Sequence, residues 1–181
     1  LQLKNDMLDI FYTCSKLSIA CDMTSRNTVV NAGYQCFFLE EIIGEYKARP
    51  DLHHQPVLQV YYKTLEMLQR QEAVEHYFQL KELLDQHWRL FPARELRILY
   101  HYALNYGVKK INSGRREFYR EILELYKILL EKKIIFKEGY LTQWTYINIV
   151  TAGIRLKEFN WTEDFINQYR SSLLPSEEHN V

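Results

Sequence analysis

The densest group of residues that could do chemistry is basic. Five cationic side chains fall within twelve residues, around a turn at 112–114: Lys109, Lys110, Arg115, Arg116 and Arg120. Guanidinium groups at a helix start lie beside backbone N–H donors, an arrangement that binds phosphate and carboxylate groups. The sequence therefore offers an anion or acidic-peptide site here. A solvated turn whose lysines complement the helix dipole is the competing interpretation.

Histidines and cysteines are the next candidates, because both ligate metals. His53 and His54 are adjacent and close to Asp51, but a metal site needs three or four converging ligands. The six histidines and three cysteines show no such spacing. His76 occupies an apolar position and is interpreted as a packed histidine. We therefore expect no metal.

Catalytic patterns are also missing from the sequence. The acidic pairs Glu40-Glu41 and Glu177-Glu178 are interpreted as solvated surface rather than as acid and base partners. No Ser-His-Asp or Cys-His grouping has a family spacing, and the six glycines are scattered singly, so no phosphate-binding loop is formed. We expect neither enzyme activity nor a cofactor.

Charge and composition limit the partners. The formal net charge is zero, which argues against non-specific nucleic-acid binding as the main function. Residues 93–137 nevertheless carry eleven Lys and Arg against five Glu, so this part is a basic island between mildly acidic flanks. The three cysteines have no disulfide-like spacing and predict buried thiols in a reducing compartment, here the cytoplasm. No apolar run is long enough for a membrane span.

The elements that would position these residues are helices in a repeating arrangement. Three apolar positions spaced i, i+4 and i+8 return after 42, 42 and 43 residues, which indicates one supersecondary unit repeated four times. The four sets are Tyr34, Phe38 and Ile42; His76, Leu80 and Leu84; Phe118, Ile122 and Tyr126; and Trp161, Phe165 and Tyr169. We predict that Phe38, Leu80, Ile122 and Phe165 are all buried.

Helix boundaries follow from turn and capping residues. The spacing of Leu3, Met7, Ile10, Cys14, Leu17 and Cys21 predicts a first helix to about Met23. Thr24, Ser25 and Asn27 would then cap a second helix that carries Tyr34 and stops before Pro50. Pro56 suits the first turn of the third helix, and the turn at 112–114 separates the fifth and sixth. Thr142 would cap the seventh helix, and Pro175 would end the eighth.

The last unit carries a family resemblance. An aromatic early in its first helix, Trp144, is followed by Phe159 after the turn, an apolar stripe and a closing Pro175. In this arrangement the chain resembles the tetratricopeptide-like superfamily of α-solenoids, and also bacterial helical-repeat proteins. The resemblance implies a groove lined by the first helices of successive pairs. The implied groove positions are Tyr62, Tyr100, Ala103, Trp144, Ile147, Thr151 and Arg155.

The predicted fold is therefore all-α, a right-handed solenoid of about four antiparallel helix pairs. Its units are about 1–50, 51–91, 92–138 and 139–175, within one domain over 1–181 that we expect to be a fragment of a longer chain, since it opens without methionine. The predicted function is a protein-interaction scaffold that receives a peptide or partner helix in the groove. The alternative is nucleic-acid or acidic-partner binding through the basic third unit.

Overall fold

The chain is helical throughout the part that the structure describes. This computed structural model describes residues 1–30 and 33–173, and within these ranges it contains no β-strand, only two isolated β-bridges. The helices are α1 (Gln2–Val30), α2 (Leu39–Ala48), α3 (Pro50–His53), α4 (Pro56–Gln69), α5 (Glu75–His87), α6 (Ala93–Asn112), α7 (Phe118–Glu131), α8 (Gln143–Arg155) and α9 (Phe159–Tyr169). Short 3-10 turns follow α5 and α9, at Trp88–Leu90 and Arg170–Ser172. The all-α prediction is confirmed.

The helices fall into two compact units, Leu1–Tyr106 and Gly107–Val181. The boundary lies inside α6, so the end of this helix belongs to the second unit. The expectation of one domain over the whole chain stays a prediction.

In the first unit, α1 packs against α4 and α2, and α4 also packs against α5. The N-terminal part of α6 joins this group through the Tyr61 hydroxyl, which donates to the Glu95 carboxylate, and through Tyr106, whose ring stacks on Tyr77 at 5.2 Å. Arg49 ties three helices together, because its guanidinium binds Asp9, Glu45 and Asp51. Fully buried members of this core are Leu17, Leu52, Leu58, Leu65, Met67, Leu80, Leu84 and Leu99.

In the second unit, α8 packs against both α7 and α9. The end of α6 approaches α7 closely, since a Cβ added at Gly107 would overlap the Ile122 side chain. A parallel bridge, in which the Leu141 N–H donates to the Ser172 carbonyl at 2.7 Å, fastens the segment before α8 to the turn after α9. The core of this unit includes Phe118, Ile122, Leu125, Tyr126, Leu129, Ile149 and Phe165.

The predicted end of the first helix is wrong. Helix α1 continues past Met23 to Val30. Thr24 and Ser25, two of the residues expected to cap a new helix, lie inside α1, and the Ser25 carbonyl accepts a hydrogen bond from the Thr28 hydroxyl at 2.7 Å. The side chain of Asn27 exchanges two hydrogen bonds with the backbone of Tyr34, both at 2.9 Å, and so holds the following segment against α1.

The second helix consequently starts later than predicted. It begins at Leu39, and the preceding Phe38 has a left-handed backbone with φ of 61°. Tyr34 lies outside the helix and, like Phe38, is exposed, while only Ile42 of this set is buried. The predicted burial of Phe38, which is 66% exposed, is therefore wrong. The N-terminal half of the α1 stripe is also exposed, at Leu3 and Met7.

The other three sets of the repeat agree better with the prediction. Leu80, Ile122 and Phe165 are buried on α5, α7 and α9. The turn before α7 contains Gly114 with φ of 95°, as its residue type indicates. Pro175 and the Glu177-Glu178 pair lie outside the described residues.

Two findings concern the class of protein. Among the described helices, none has the length and apolar character needed to span a membrane. The three cysteines are free, but only Cys21 is buried, with its thiol 3.5 Å from the Tyr61 carbonyl. Cys14 and Cys36 are half-buried, so the expectation of three buried thiols is wrong at these two.

Candidate functional site

Hydrogen bonds close both ends of helix α8. Thr142 accepts a hydrogen bond from the Thr145 N–H at 3.2 Å, so it is the predicted N-cap. At the other end Lys157 has φ of 61°, and the N–H of Glu158 donates to the Gly153 carbonyl at 3.0 Å. This closure satisfies carbonyls that would otherwise be unpaired at the helix end.

The inner side of α8 is fixed by a close contact with α9. A Cβ added at Gly153 would overlap the hydroxyl of Thr162, so the two helices approach here without an intervening side chain. Thr162 is itself buried, and its hydroxyl donates to the Glu158 carbonyl at 2.7 Å. Tyr146 packs against Phe165, with 5.2 Å between ring centroids. The rotation of α8 about its axis is therefore set by the core.

This rotation leaves an apolar stripe on the outside. Trp144, Ile147 and Ile154 are 78%, 38% and 52% exposed, and Thr151 between them is also exposed. Their spacings of three, four and three residues are the a and d positions of a heptad, the pattern with which one helix packs against another. Arg155 is exposed next to Ile154, at the C-terminal end of the stripe. We call Trp144, Ile147, Thr151 and Ile154 the α8 stripe.

The predicted groove residues do not lie on one surface, because four of the seven are exposed on α8 and the other three are buried or half-buried. Trp144, Ile147, Thr151 and Arg155 share this exposed face of α8. Tyr100 and Ala103 are buried at 2% and 0% exposure, so the groove prediction is wrong at these two core positions. Tyr62 is half-buried beside Tyr46 in the first unit.

Ile154 is a stripe member that the groove implied by the family resemblance did not include, although it lies on the same helix as Trp144 and Ile147. The heptad spacing of Trp144, Ile147 and Ile154, which are three and seven residues apart, is the signal that could have found it.

The predicted anion patch is only partly assembled. Lys110 is buried at 5% exposure, while Lys109, Arg116 and Arg120 are exposed. Arg115 is occupied, because its Nε donates to the Glu117 carboxylate at 2.7 Å and its guanidinium lies 5.3 Å from the Phe118 ring centroid.

The start of α7 offers few donors to an external anion. The backbone N–H groups of Phe118, Tyr119 and Arg120 already donate to carbonyls of the preceding turn, at 3.1–3.2 Å. The Glu117 carboxylate also sits at this helix start. A hydrogen bond from its own backbone N–H, and then the one from Arg115, lower the pKa of that carboxyl. The Glu117 carboxylate thus occupies the helix start where an external anion would bind. This arrangement favours the solvated-turn interpretation.

A polar cluster between α4 and α5 was not predicted. The Glu66 carboxylate accepts hydrogen bonds from Lys63 at 2.6 Å and from the Tyr62 hydroxyl at 2.9 Å, and it lies 3.6 Å from Nδ1 of His76. Burial opposes ionisation of Glu66, but these two bonds together with the charges of Lys63 and His76 outweigh burial and lower the pKa of that carboxyl. Because the charges are matched within the cluster, it stabilises the contact between α4 and α5 rather than presenting a reactive group.

The paired histidines have structural roles. His54 places Nδ1 2.6 Å from the Pro50 carbonyl, and the His53 ring packs against Tyr46 at 5.4 Å. In the ranges that the structure describes, no group of three His, Cys, Asp or Glu side chains could hold a metal ion. The expectations of no metal, no cofactor and no catalysis stay predictions.

Comparisons with known proteins give no relative from which a function could be transferred. No family model matches the chain, and no curated protein or solved structure matches it either. The α8 stripe is therefore the candidate functional site on physical grounds alone.

Proposed function

We propose that this chain is a protein-interaction module that binds an amphipathic partner helix along the α8 stripe. The observation that supports this proposal is a set of large apolar side chains, Trp144, Ile147 and Ile154, exposed at heptad spacing on a helix whose opposite side fills the core. Apolar side chains at such spacing bury best against another helix. Tryptophan is also among the residues most enriched at the energetic centres of interfaces.

The positive charge beside the α8 stripe predicts the charge of the partner helix. Arg155 and Lys157 are both exposed at the C-terminal end of α8. A partner helix would therefore carry an acidic residue at the end that faces them, with apolar residues at its own a and d positions. A second copy of α8 fits less well in parallel orientation, because it would bring these like charges together.

As part of the same proposal, the helices form a right-handed, tetratricopeptide-like solenoid and the stripe belongs to its groove. The supporting observation is that Leu80, Ile122 and Phe165, the central positions of three of the four sets, are all buried. We also propose a cytoplasmic location. Burial raises the pKa of Cys14 to about 11 and raises that of Cys21 as well, so both would stay protonated thiols at neutral pH.

Photo-crosslinking in cells tests the proposed site. A photoreactive residue is placed at Thr151, within the stripe, and at Asn167, an exposed position of α9, as the matched control. We expect a discrete crosslinked protein from position 151 that is missing from position 167. The same crosslinked proteins from both positions would contradict the proposal.

The recovered partner is then purified and titrated against two variants with the same chemical change. Ile147→Asp should weaken binding by about a hundredfold or more, as expected for a central interface residue. Leu8→Asp, at an exposed leucine of α1 in the first unit, should leave binding unchanged. Equal binding by the Ile147 variant and the unmodified chain would overturn the assignment to α8.

A further inference from the structure

A second surface lies in the first unit, between α1 and α6. There the two helices border a cavity of about 500 Å³. Its apolar side is formed by Ile19 and Met23 of α1 and by Ile98 of α6, and both isoleucines are exposed. Tyr34, which the Asn27 side chain holds in place, closes one side with another exposed ring. The cavity is thus apolar enough to take a branched aliphatic side chain.

The charged side of the same cavity is basic. Asp22 lines it but is satisfied internally, because Nε of Arg26 donates to its carboxylate at 2.9 Å. Tyr102, another lining residue, interacts with Asp22 as well. Burial first, and then the Asp22 carboxylate, raise the pKa of the Tyr102 hydroxyl.

Arg26 and Arg94 are the two cationic side chains that line the cavity. The bond from Nε fixes the plane of the Arg26 guanidinium, and its side chain is nevertheless 61% exposed. A guanidinium held in this way loses less conformational entropy when its terminal nitrogens bind a carboxylate. Arg94 lies at the start of α6 on the same cavity. The lining therefore has two cations, Arg26 and Arg94, against one anion, Asp22, which is an excess of one positive charge.

We infer that the cavity between α1 and α6 binds an acidic peptide segment of a partner protein, in which an aliphatic side chain neighbours Asp or Glu. The aliphatic side chain would lie between Ile19 and Ile98, and the carboxylate would bind Arg26 and Arg94. Charge complementarity selects this occupant, since the lining carries two guanidinium groups against one carboxylate and a basic segment would be repelled by that excess. The inference goes beyond the α8 stripe, because it concerns the other unit and a short segment rather than a helix.

Methyl NMR of the full chain with labelled isoleucines tests the inference. The probe is a short synthetic peptide that alternates Leu-Leu with Asp-Glu, and its control carries Asn-Gln in place of Asp-Glu. We expect the acidic peptide to shift the methyl signals of Ile19 and Ile98 but not those of Ile147 and Ile154. The neutral peptide should bind at least about tenfold more weakly.

Variants separate this site from the α8 stripe. Arg94→Glu and Ile98→Asp should each weaken binding of the acidic peptide by about tenfold or more, as expected for an interface charge and a central apolar contact. Arg120→Glu, the same charge change on α7, and Ile147→Asp should have no effect. Circular dichroism melts check that each variant is folded. If Ile98→Asp does not fold, Ile98→Ser is used in its place.

Three outcomes would overturn the inference. The first is an absence of shifts at Ile19 and Ile98 at saturating peptide. The second is equal binding of the acidic and neutral peptides. The third is a loss of binding with Ile147→Asp but not with Ile98→Asp, which would assign the peptide to the α8 stripe.

Discussion

Helices α7 and α8 belong to the same unit and pack against each other, yet they use their apolar residues differently. In α7 the apolar set Phe118, Ile122 and Tyr126 is buried in the core. Helix α8 buries Tyr146 and Ile149 and has a second apolar set on its outer face. A helix that only had to fold into this unit would carry polar residues there, as surface helices do. This difference between the two helices is the observation on which the proposed binding role of α8 rests.

The largest effect should come from the buried set of α7. Ile122→Ala removes a side chain that is 3% exposed and contacts the region of Gly107. We expect a loss of about 2 to 5 kcal/mol in the free energy of unfolding, because a cavity remains in the core. Urea denaturation measures this change. A loss below about 1 kcal/mol would mean that the α7 set is less important to the core than its burial indicates.

The next largest effect on stability should come from the contact between α8 and α9 at Gly153, which sets the rotation of α8 about its axis. Gly153→Ala should destabilise the chain by about 1 to 3 kcal/mol, because the new methyl group would overlap Thr162. Gly44→Ala in α2 is the matched control, since nothing lies within 4 Å of a Cβ there. That change should stabilise the chain by about 0.4 to 1 kcal/mol through the lower entropy of the unfolded state. Similar effects of the two substitutions would refute a close approach of α8 and α9.

A smaller effect is expected at the start of α8. Thr142→Ala removes the oxygen that accepts from the Thr145 N–H, and it should cost about 0.5 to 2 kcal/mol. Thermal melting checks the change, and Thr142→Ser, which preserves the acceptor, should restore most of the stability. If serine fails to do so, the hydroxyl does not stabilise the helix start by capping.

The smallest effect on stability should come from the outer face of α8. Ile154→Ala shortens a side chain that is 52% exposed, so we expect a change within about 0.5 kcal/mol in either direction. The same substitution should weaken partner binding. A stability loss as large as that of Ile122→Ala would remove the contrast between α7 and α8, and the stripe would then belong to the core.

The sequence predicted those elements whose local signals agree with their tertiary contacts. Helix α7 has a turn with Gly114 before it and a regular apolar spacing, so its position follows from the sequence. Thr142 likewise caps α8 through a bond that spans three residues. Such local interactions are visible in a single sequence.

The elements that were mispredicted depend on contacts between distant residues. Asn27 is a residue type that often caps helices, but its side chain binds the backbone of Tyr34. Helix α1 therefore continues past it, and α2 starts late. The set of Tyr34, Phe38 and Ile42 has the right period, but only Ile42 reaches the core. The groove positions Tyr100 and Ala103 came from the family resemblance, and they are wrong because both side chains are buried. The contact of Gly153 with Thr162 depends on the rotation of each helix, which periodicity alone fixes only to within a residue.

Tryptophan fluorescence tests the central claim most directly, because Trp144 reports on the stripe itself. In a Trp88→Phe, Trp161→Phe background the emission comes from Trp144 alone, which is 78% exposed in the free chain. The titrant is an amphipathic helical peptide with Leu at a and d positions and a Glu at the end that faces Arg155. A peptide of the same composition in scrambled order is the control. We predict a blue shift and protection from acrylamide quenching with the helical peptide only. Unchanged emission at millimolar peptide, or the same shift with both peptides, would contradict the proposal that α8 receives a partner helix.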